Sequence, residues 1–340
     1  MKILPKVTIE SGVKSQEFGA LNSESDVQSQ KFAEDKSHPK SLMAEVLVSR
    51  LRTPDSRLLN ALAFHLQTQY FCNWMSKQKI TFEDLGYLNY QAAWDYQESL
   101  LQQNIQRKRD VNDWLLAVSN GDTLPYKKTD ELGTTINDKP KTRNHLLFVE
   151  HPHVYTLGKS GKEEHVLINE DERKEKQVEY IKTNRGGDIT YHGPGQLVGY
   201  PILDLENYYT DIGKYLRNLE EVIILTMAEY GLKGERSAGE TGVWLDPGIK
   251  GHERKICALG VRCSRWITMH GFAFNINTDL SYFDYIVPCG IRNKQVSSLE
   301  KELGIRIAEE EVKEKVKNNF AIVFDSELIA TGTVHLSGVL

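Results

Sequence analysis

Gly242-Val-Trp-Leu245, Lys255-Ile-Cys-Ala-Leu-Gly-Val-Arg-Cys263 and Gly271-Phe-Ala-Phe-Asn275 are three short, largely apolar runs that follow one another with no helix-length link between them. Runs of this length, bounded by polar and turn-forming residues, are the mark of β-strands. Upstream, Leu146-Leu-Phe-Val-Glu150 has the same character and is broken by His151-Pro-His153. Between these runs Asp211 is placed to cap a helix whose inward face carries Ile212, Leu216, Leu219, Ile223 and Met227, and Gly231 is placed to end it. Earlier still, from Tyr90, the positions Trp94, Gln97, Leu101 and Ile105 recur at helical spacing, predicting a helix that ends near Arg109 and packs on a sheet. The polar stretch Asn120 to Asn144 reads as a long, insertion-like loop. Late helices are expected from Ser297 and from Ala308, the second with Val312, Val316 and Phe320 inward. Strands and helices therefore alternate without a regular βαβ rhythm, and the fold class is α/β of the α+β type, a mixed sheet with packed helices.

The chain has 340 residues, 40% of them apolar, enough for a substantial core. Its first forty residues are rich in Lys, Ser, Gln and Glu and poor in aromatics, a composition that does not offset the entropy of ordering. Residues 1–74 are read as a disordered or dispensable extension, Met75 as a workable start, 75–330 as one catalytic domain and 331–340 as a tail. A net charge of -5 gives no pull toward nucleic acid. No apolar run is long enough to span a bilayer and no secretory signal opens the sequence, so a soluble cytoplasmic protein with neither membrane nor nucleic-acid partner is expected. The cysteines Cys72, Cys257, Cys263 and Cys289 form no CxxC pair. His151, His153 and His192 lack metal-ligand spacing, so no metal is expected.

Two constellations carry chemistry. In Arg185-Gly-Gly-Asp-Ile-Thr-Tyr-His-Gly-Pro-Gly-Gln196, glycines permit close approach to a ligand, while Arg185, Tyr191 and His192 offer hydrogen bonds to a carbonyl or phosphate. The segment fits neither the phosphate-loop nor the dinucleotide pattern. In the second, Lys255 is followed 34 positions later by Cys289, a thiol set on a turn between Pro288 and Gly290. Cys257 and Cys263 alternate within an expected strand and are assigned to the core. Lys255 taken alone reads equally well as a solvated charge beside Arg254.

Together with His270-Gly-Phe-Ala-Phe-Asn275, Glu150-His-Pro-His-Val-Tyr-Thr-Leu-Gly158, Gly195-Gln-Leu-Val-Gly-Tyr-Pro201 and Trp94, these segments resemble the lipoyl(octanoyl) transferase family over about residues 76–325. The resemblance implies a biotin/lipoate protein ligase-like domain that transfers octanoyl from octanoyl-acyl carrier protein to a lysine in lipoate biosynthesis. The acceptors it implies are lipoyl domains of 2-oxoacid dehydrogenases and the glycine-cleavage carrier protein. Cys289 would be the nucleophile, forming an acyl-thioester, and Lys255 its base. Arg185, Gly186, Gly187, Asp188, Ile189, Thr190, Tyr191 and His192, with Ala258, Leu259 and Gly260 and with Gly271, Phe272 and Ala273, would line the acyl site. A backbone N–H near Gly290 would hold the oxyanion. The physics agrees: a lysine beside a thiol of pKa about 8.5 stabilises the thiolate, and partial burial would lower the lysine's own pKa. The thioester arrives activated, so no ATP and no cofactor are needed. Three other readings compete: a ligase of the same fold that forms an acyl-adenylate, a cysteine amidotransferase that moves octanoyl between two proteins, and an acyl-binding module without turnover.

Overall fold

The computed structural model describes residues 77–120, 128–129, 135–136, 140–287 and 295–330. Thirteen strands and five α-helices are seen among them: β1 (Gln78–Tyr87), α1 (Tyr90–Asn120), β2 (Lys128–Thr129), β3 (Thr135–Ile136), β4 (Asn144–Glu150), β5 (Val154–Leu157), α2 (Glu170–Glu175), β6 (Glu179–Lys182), β7 (Ile189–His192), β8 (Gln196–Ile202), α3 (Ile212–Ala228), β9 (Val243–Leu245), β10 (Arg254–Ser264), β11 (Ile267–Asn275), β12 (Gln295–Val296), α4 (Leu299–Leu303), α5 (Glu309–Val323) and β13 (Ser326–Ala330). The large sheet runs β12-β10-β11-β8-β4-β1-β13, with β9 on β10. It is mixed: β1 is parallel to β4 and β13, whereas β4, β8, β11 and β10 alternate in direction.

Alternation along the central strands assigns side chains to two cores. On β4, Leu146 and Phe148 face α3 and α5, joining Leu219, Ile223, Val316 and Phe320, while Leu147 and Val149 face α1 and meet Leu101 and Ile105. The sheet is thus covered on both faces, which is why β4 and β8 carry no exposed position. A second sheet, β6-β5-β7, encloses a small core of Tyr155, Leu157, Ile189, Tyr191 and Phe283.

The expected helices on α3, α4 and α5 are present. Asp211 caps α3 by accepting the Lys214 N–H, and Gly231 follows at φ +74°. Two expectations are corrected. The first helix does not end near Arg109 but runs to Asn120, since residues 107–120 contain neither Pro nor Gly and the stop signal comes only at Gly121. The stretch 120–144 is not all loop: Lys128–Thr129 pairs antiparallel with Thr135–Ile136. The expectations on residues 1–74, the tail 331–340, Cys72 and Cys289 lie outside the described residues.

Candidate active site

A cavity of about 690 Å³ opens between β10, β11 and the glycine-rich segment. Its wall brings together Arg185 to Thr190 and His192, Lys255 and Ala258 to Gly260 on β10, and Gly271 to Ala273 on β11. The glycines permit this convergence. Gly186 N–H donates to Val261 O at 2.9 Å, and a Cβ on Gly260 would stand 2.8 Å from Gly186 O. On the other side Gly158 N–H donates to Asp188 O at 3.1 Å, and a Cβ there would stand 2.3 Å from Gly187 O. The segment is therefore wedged between two strands that only glycine lets so near. Ile189–His192 is itself strand β7 rather than part of a turn.

Tyr191 is placed apart from the other sequence-predicted site residues. It is fully buried in the small sheet's core, stacked on Tyr282 with its hydroxyl 2.7 Å from His153 Nδ1. Thr190 and His192 alternate with Tyr191 along β7 and face the cavity, while Tyr191 packs into the small core, as does Ile189, which also reaches the cavity wall.

Behind the wall runs a chain of buried hydrogen bonds whose direction can be worked out. Gln196 Nε2 donates to Tyr191 O and to Asn275 Oδ1, so Gln196 Oε1 is left to accept from His192 Nδ1–H at 2.8 Å. His192 Nε2 then carries the lone pair and receives the Thr156 hydroxyl, which in turn accepts from Arg185 Nε and Nη2. Burial, with His151 and Arg185 nearby, holds His192 well below the usual histidine range, so it is neutral, as this chain requires. Burial likewise pushes His151 down to about 4 and His270 down to about 3. His151 bridges Leu88 O and Tyr200 Oη, and His270 Nε2 meets Asn184 Oδ1. Each of the three histidines weighed as metal ligands is thus engaged in hydrogen bonding, and among the described residues no three His, Cys, Asp or Glu are grouped to hold a metal.

Lys255 sits where the ladder between β10 and β9 shifts register, between the pairs Lys255–Trp244 and Cys257–Val243. A bulge re-aims a side chain. Here it sends the lysine along the cavity wall, with Nζ 4.5 Å from the Trp244 ring centroid. Arg254 forks instead onto Glu302 and also reaches Asp246. Cys289 lies outside the described residues, but the chain on either side is held at the site. Phe283 and Val296 line the cavity, Val287 N–H donates to His165 O at 2.8 Å, and Ser297 N–H donates to Lys255 O at 2.9 Å. Cys257 is fully buried and its thiol is driven up by that burial, whereas Cys263 is only half-buried and so belongs less fully to the core than expected.

The family model of the lipoyl protein ligase A/B catalytic domain matches residues 126–321. An octanoyltransferase of Christiangramia forsetii is 55% identical over 252 residues, covering 74% of this chain and 98% of its own. The chain belongs to the octanoyltransferase family. Another octanoyltransferase, of Flavobacterium johnsoniae, is 55% identical over 253 residues, 74% of this chain and 99% of that one. The bipartite lipoate protein ligase of Thermoplasma acidophilum shares the fold, with a TM-score of 0.50 at 16% identity over 76% of this chain and 88% of its own. As an octanoyltransferase-family acyltransferase, the chain carries several cavity residues that sequence reasoning did not single out: Tyr90, Tyr200, Gln196, Asn275 and Phe283. Gln196 and Asn275 close segments that carry the family resemblance, which was a usable signal. Tyr90 opens α1 one helical turn before Trp94, but nothing in the sequence at its own position points to the cavity.

Proposed function

We propose that the chain transfers an octanoyl group from octanoyl-acyl carrier protein, through a thioester on Cys289, to the lysine of a lipoyl domain in lipoate biosynthesis. The observation that carries this reading is the convergence of Lys255 and the three sequence-separated acyl-site segments on one cavity. In the first half-reaction the Cys289 thiolate attacks the donor thioester carbonyl, and the carrier thiolate leaves and takes up a proton. In the second, the acceptor amine attacks the new thioester, Lys255 receives the amine proton and the Cys289 thiolate leaves. Arg185, held by Thr156, binds and orients the acyl carbonyl end, while Phe272, Leu259 and Ala273 give the chain an apolar bed. Acceptors would be lipoyl domains of 2-oxoacid dehydrogenases and the glycine-cleavage carrier. Among the described residues no helix is long and apolar enough to cross a membrane.

The test is intact-mass spectrometry after mixing with octanoyl-acyl carrier protein. A gain of about 126 Da, absent in Cys289→Ala and removed by hydroxylamine, is expected for the acyl-enzyme. Lys255→Ala is expected to slow both its formation and its discharge to an acceptor. Acylation of the acceptor by Cys289→Ala, or a requirement for ATP and free octanoate, would replace this reading with that of an adenylate-forming ligase.

A further inference from the structure

Glu220 is fully buried on the inward side of α3, and the mechanism above gives it no task. Its Oε2 meets Arg217 Nη1 at 2.7 Å and Arg236 Nε at 3.1 Å, both from guanidinium groups that remain partly exposed. Its Oε1 turns the other way and accepts the buried N–H of Gly242 at 3.0 Å. Burying a carboxylate is costly even when it is paired, so such a group is poor evidence for stability and better evidence for a fixed position.

What it fixes is the floor beneath Lys255. Gly242 has φ +125°, a conformation that a side chain rarely adopts, and a Cβ there would stand 2.7 Å from Cys257 O and 3.3 Å from Lys255 Cε. The lysine methylenes therefore lie on the bare Cα of Gly242. Two residues on, Trp244 pairs with Lys255 across the ladder and sets its ring against the ammonium. A shift of Gly242 would move both supports at once.

We propose that Glu220 is a positioning residue for Lys255, acting through the Gly242 N–H. The functional part of this inference rests on the reading of Lys255 as the base in octanoyl transfer. The geometric part does not.

The experiment compares Glu220→Met, Glu220→Gln, Gly242→Ala, Arg236→Met and Lys255→Ala in the full chain. Octanoyl transfer is followed, together with acetic anhydride labelling of Lys255 measured by peptide mass spectrometry against exposed Lys250. Glu220→Met is expected to lower kcat about 100-fold, with KM changed less than about threefold, the size of effect that an ångström of misplacement produces. That loss is expected to disappear in the Lys255→Ala background, because two changes to one unit do not add. Gly242→Ala should reproduce it by pressing on Lys255 directly, while Glu220→Gln, which keeps an oxygen for the Gly242 N–H, should keep kcat within about threefold of wild type and carries the test if Glu220→Met does not fold. Arg236→Met, which leaves the Gly242 bond in place, should lower the thermal midpoint and leave kcat near wild type. Labelling of Lys255 relative to Lys250 should change about threefold or more in Glu220→Met, enough to register altered accessibility or protonation, and stay constant in Arg236→Met. Full additivity of Glu220→Met with Lys255→Ala, or unchanged Lys255 labelling, overturns the inference. Wild-type protein that labels as expected but transfers no octanoyl would refute the proposed function and leave Glu220 as the residue that sets the Lys255 side chain.

Discussion

His151 occupies a fully buried position between a backbone carbonyl and a tyrosine hydroxyl, and it is neutral there. The unfolded chain would titrate this imidazole near its ordinary pKa of about 6.5, whereas the folded protein does so only at about 4. Between those values the unfolded state binds the extra proton, so the stabilisation is complete above about pH 6.5 and is lost as pH falls toward 4. At about 1.4 kcal/mol per pKa unit the contribution of His151 is on the order of 3 kcal/mol at most. Urea midpoints recorded from pH 7 to pH 4 are expected to fall through this window, and less steeply in His151→Gln; an identical slope in the variant would remove His151 from the account. Thr156 is the complementary case, since one hydroxyl donates to the His192 Nε2 lone pair and accepts from Arg185. Arg185 and Lys255 were legible in the sequence because each lies in a motif with its neighbours. Thr156 and Glu220 were not, because what makes them matter is a partner brought from a distant part of the chain by the fold.

At the scale of elements, the antiparallel pairing of β8 with β11 shows how tightly the central strands are fitted. A Cβ on Gly271 would stand 2.1 Å from Gly199 O, and one on Gly199 would stand 2.1 Å from the Phe272 ring. Gly271→Ala must push two central strands apart, and a loss of about 1–3 kcal/mol is expected from such overpacking, read as a lower midpoint in denaturant. An unchanged midpoint would mean that the sheet yields more easily than its packing implies. Helix α3 was legible in full, cap and stop included, because its apolar period and its end signals agree. Helix α1 was cut short because the polar run Arg107-Lys-Arg-Asp-Val-Asn-Asp113 interrupts its apolar spacing before Trp114-Leu-Leu-Ala-Val118 resumes it. The β5–β6–β7 sheet was missed for a different reason: its strands are only four residues long, and His151-Pro-His153 and the glycine segment look like breakers when read locally. The neighbouring Val154–Leu157, Glu179–Lys182 and Ile189–His192 become strands by pairing with one another, and no single-segment pattern carries that information.

For the whole molecule, the first described strand lies in the sheet interior. Ile80 is fully buried, and β1 pairs with β4 on one side and β13 on the other. The contact pattern divides the chain between Ser76 and Lys77. We propose on this basis that the catalytic domain begins near Met75. A chain shortened to residues 75–340 is expected to keep the thermal midpoint and the octanoyl-transfer rate of the full chain. A fall of more than about 1 kcal/mol in stability would show that the leader contributes to the core. The mixed sheet with packed helices was legible from three strand runs with no helix between them. The parallel union of β1 with β13 was not, since neither strand's sequence names its partner.

That union also orders events during synthesis. At roughly 5–20 residues per second, the chain between Tyr87 and Ser326 takes about 12–50 s to make. Throughout that interval the edge of β1 that awaits β13 presents unpaired backbone N–H and C=O groups, a template for any extended segment nearby. The strands that line the cavity, β8, β10 and β11, are all made before β13. Ribosome-bound chains would therefore hold these strands beside an unsealed sheet edge, and crowding of nascent chains would expose that edge to unwanted pairing.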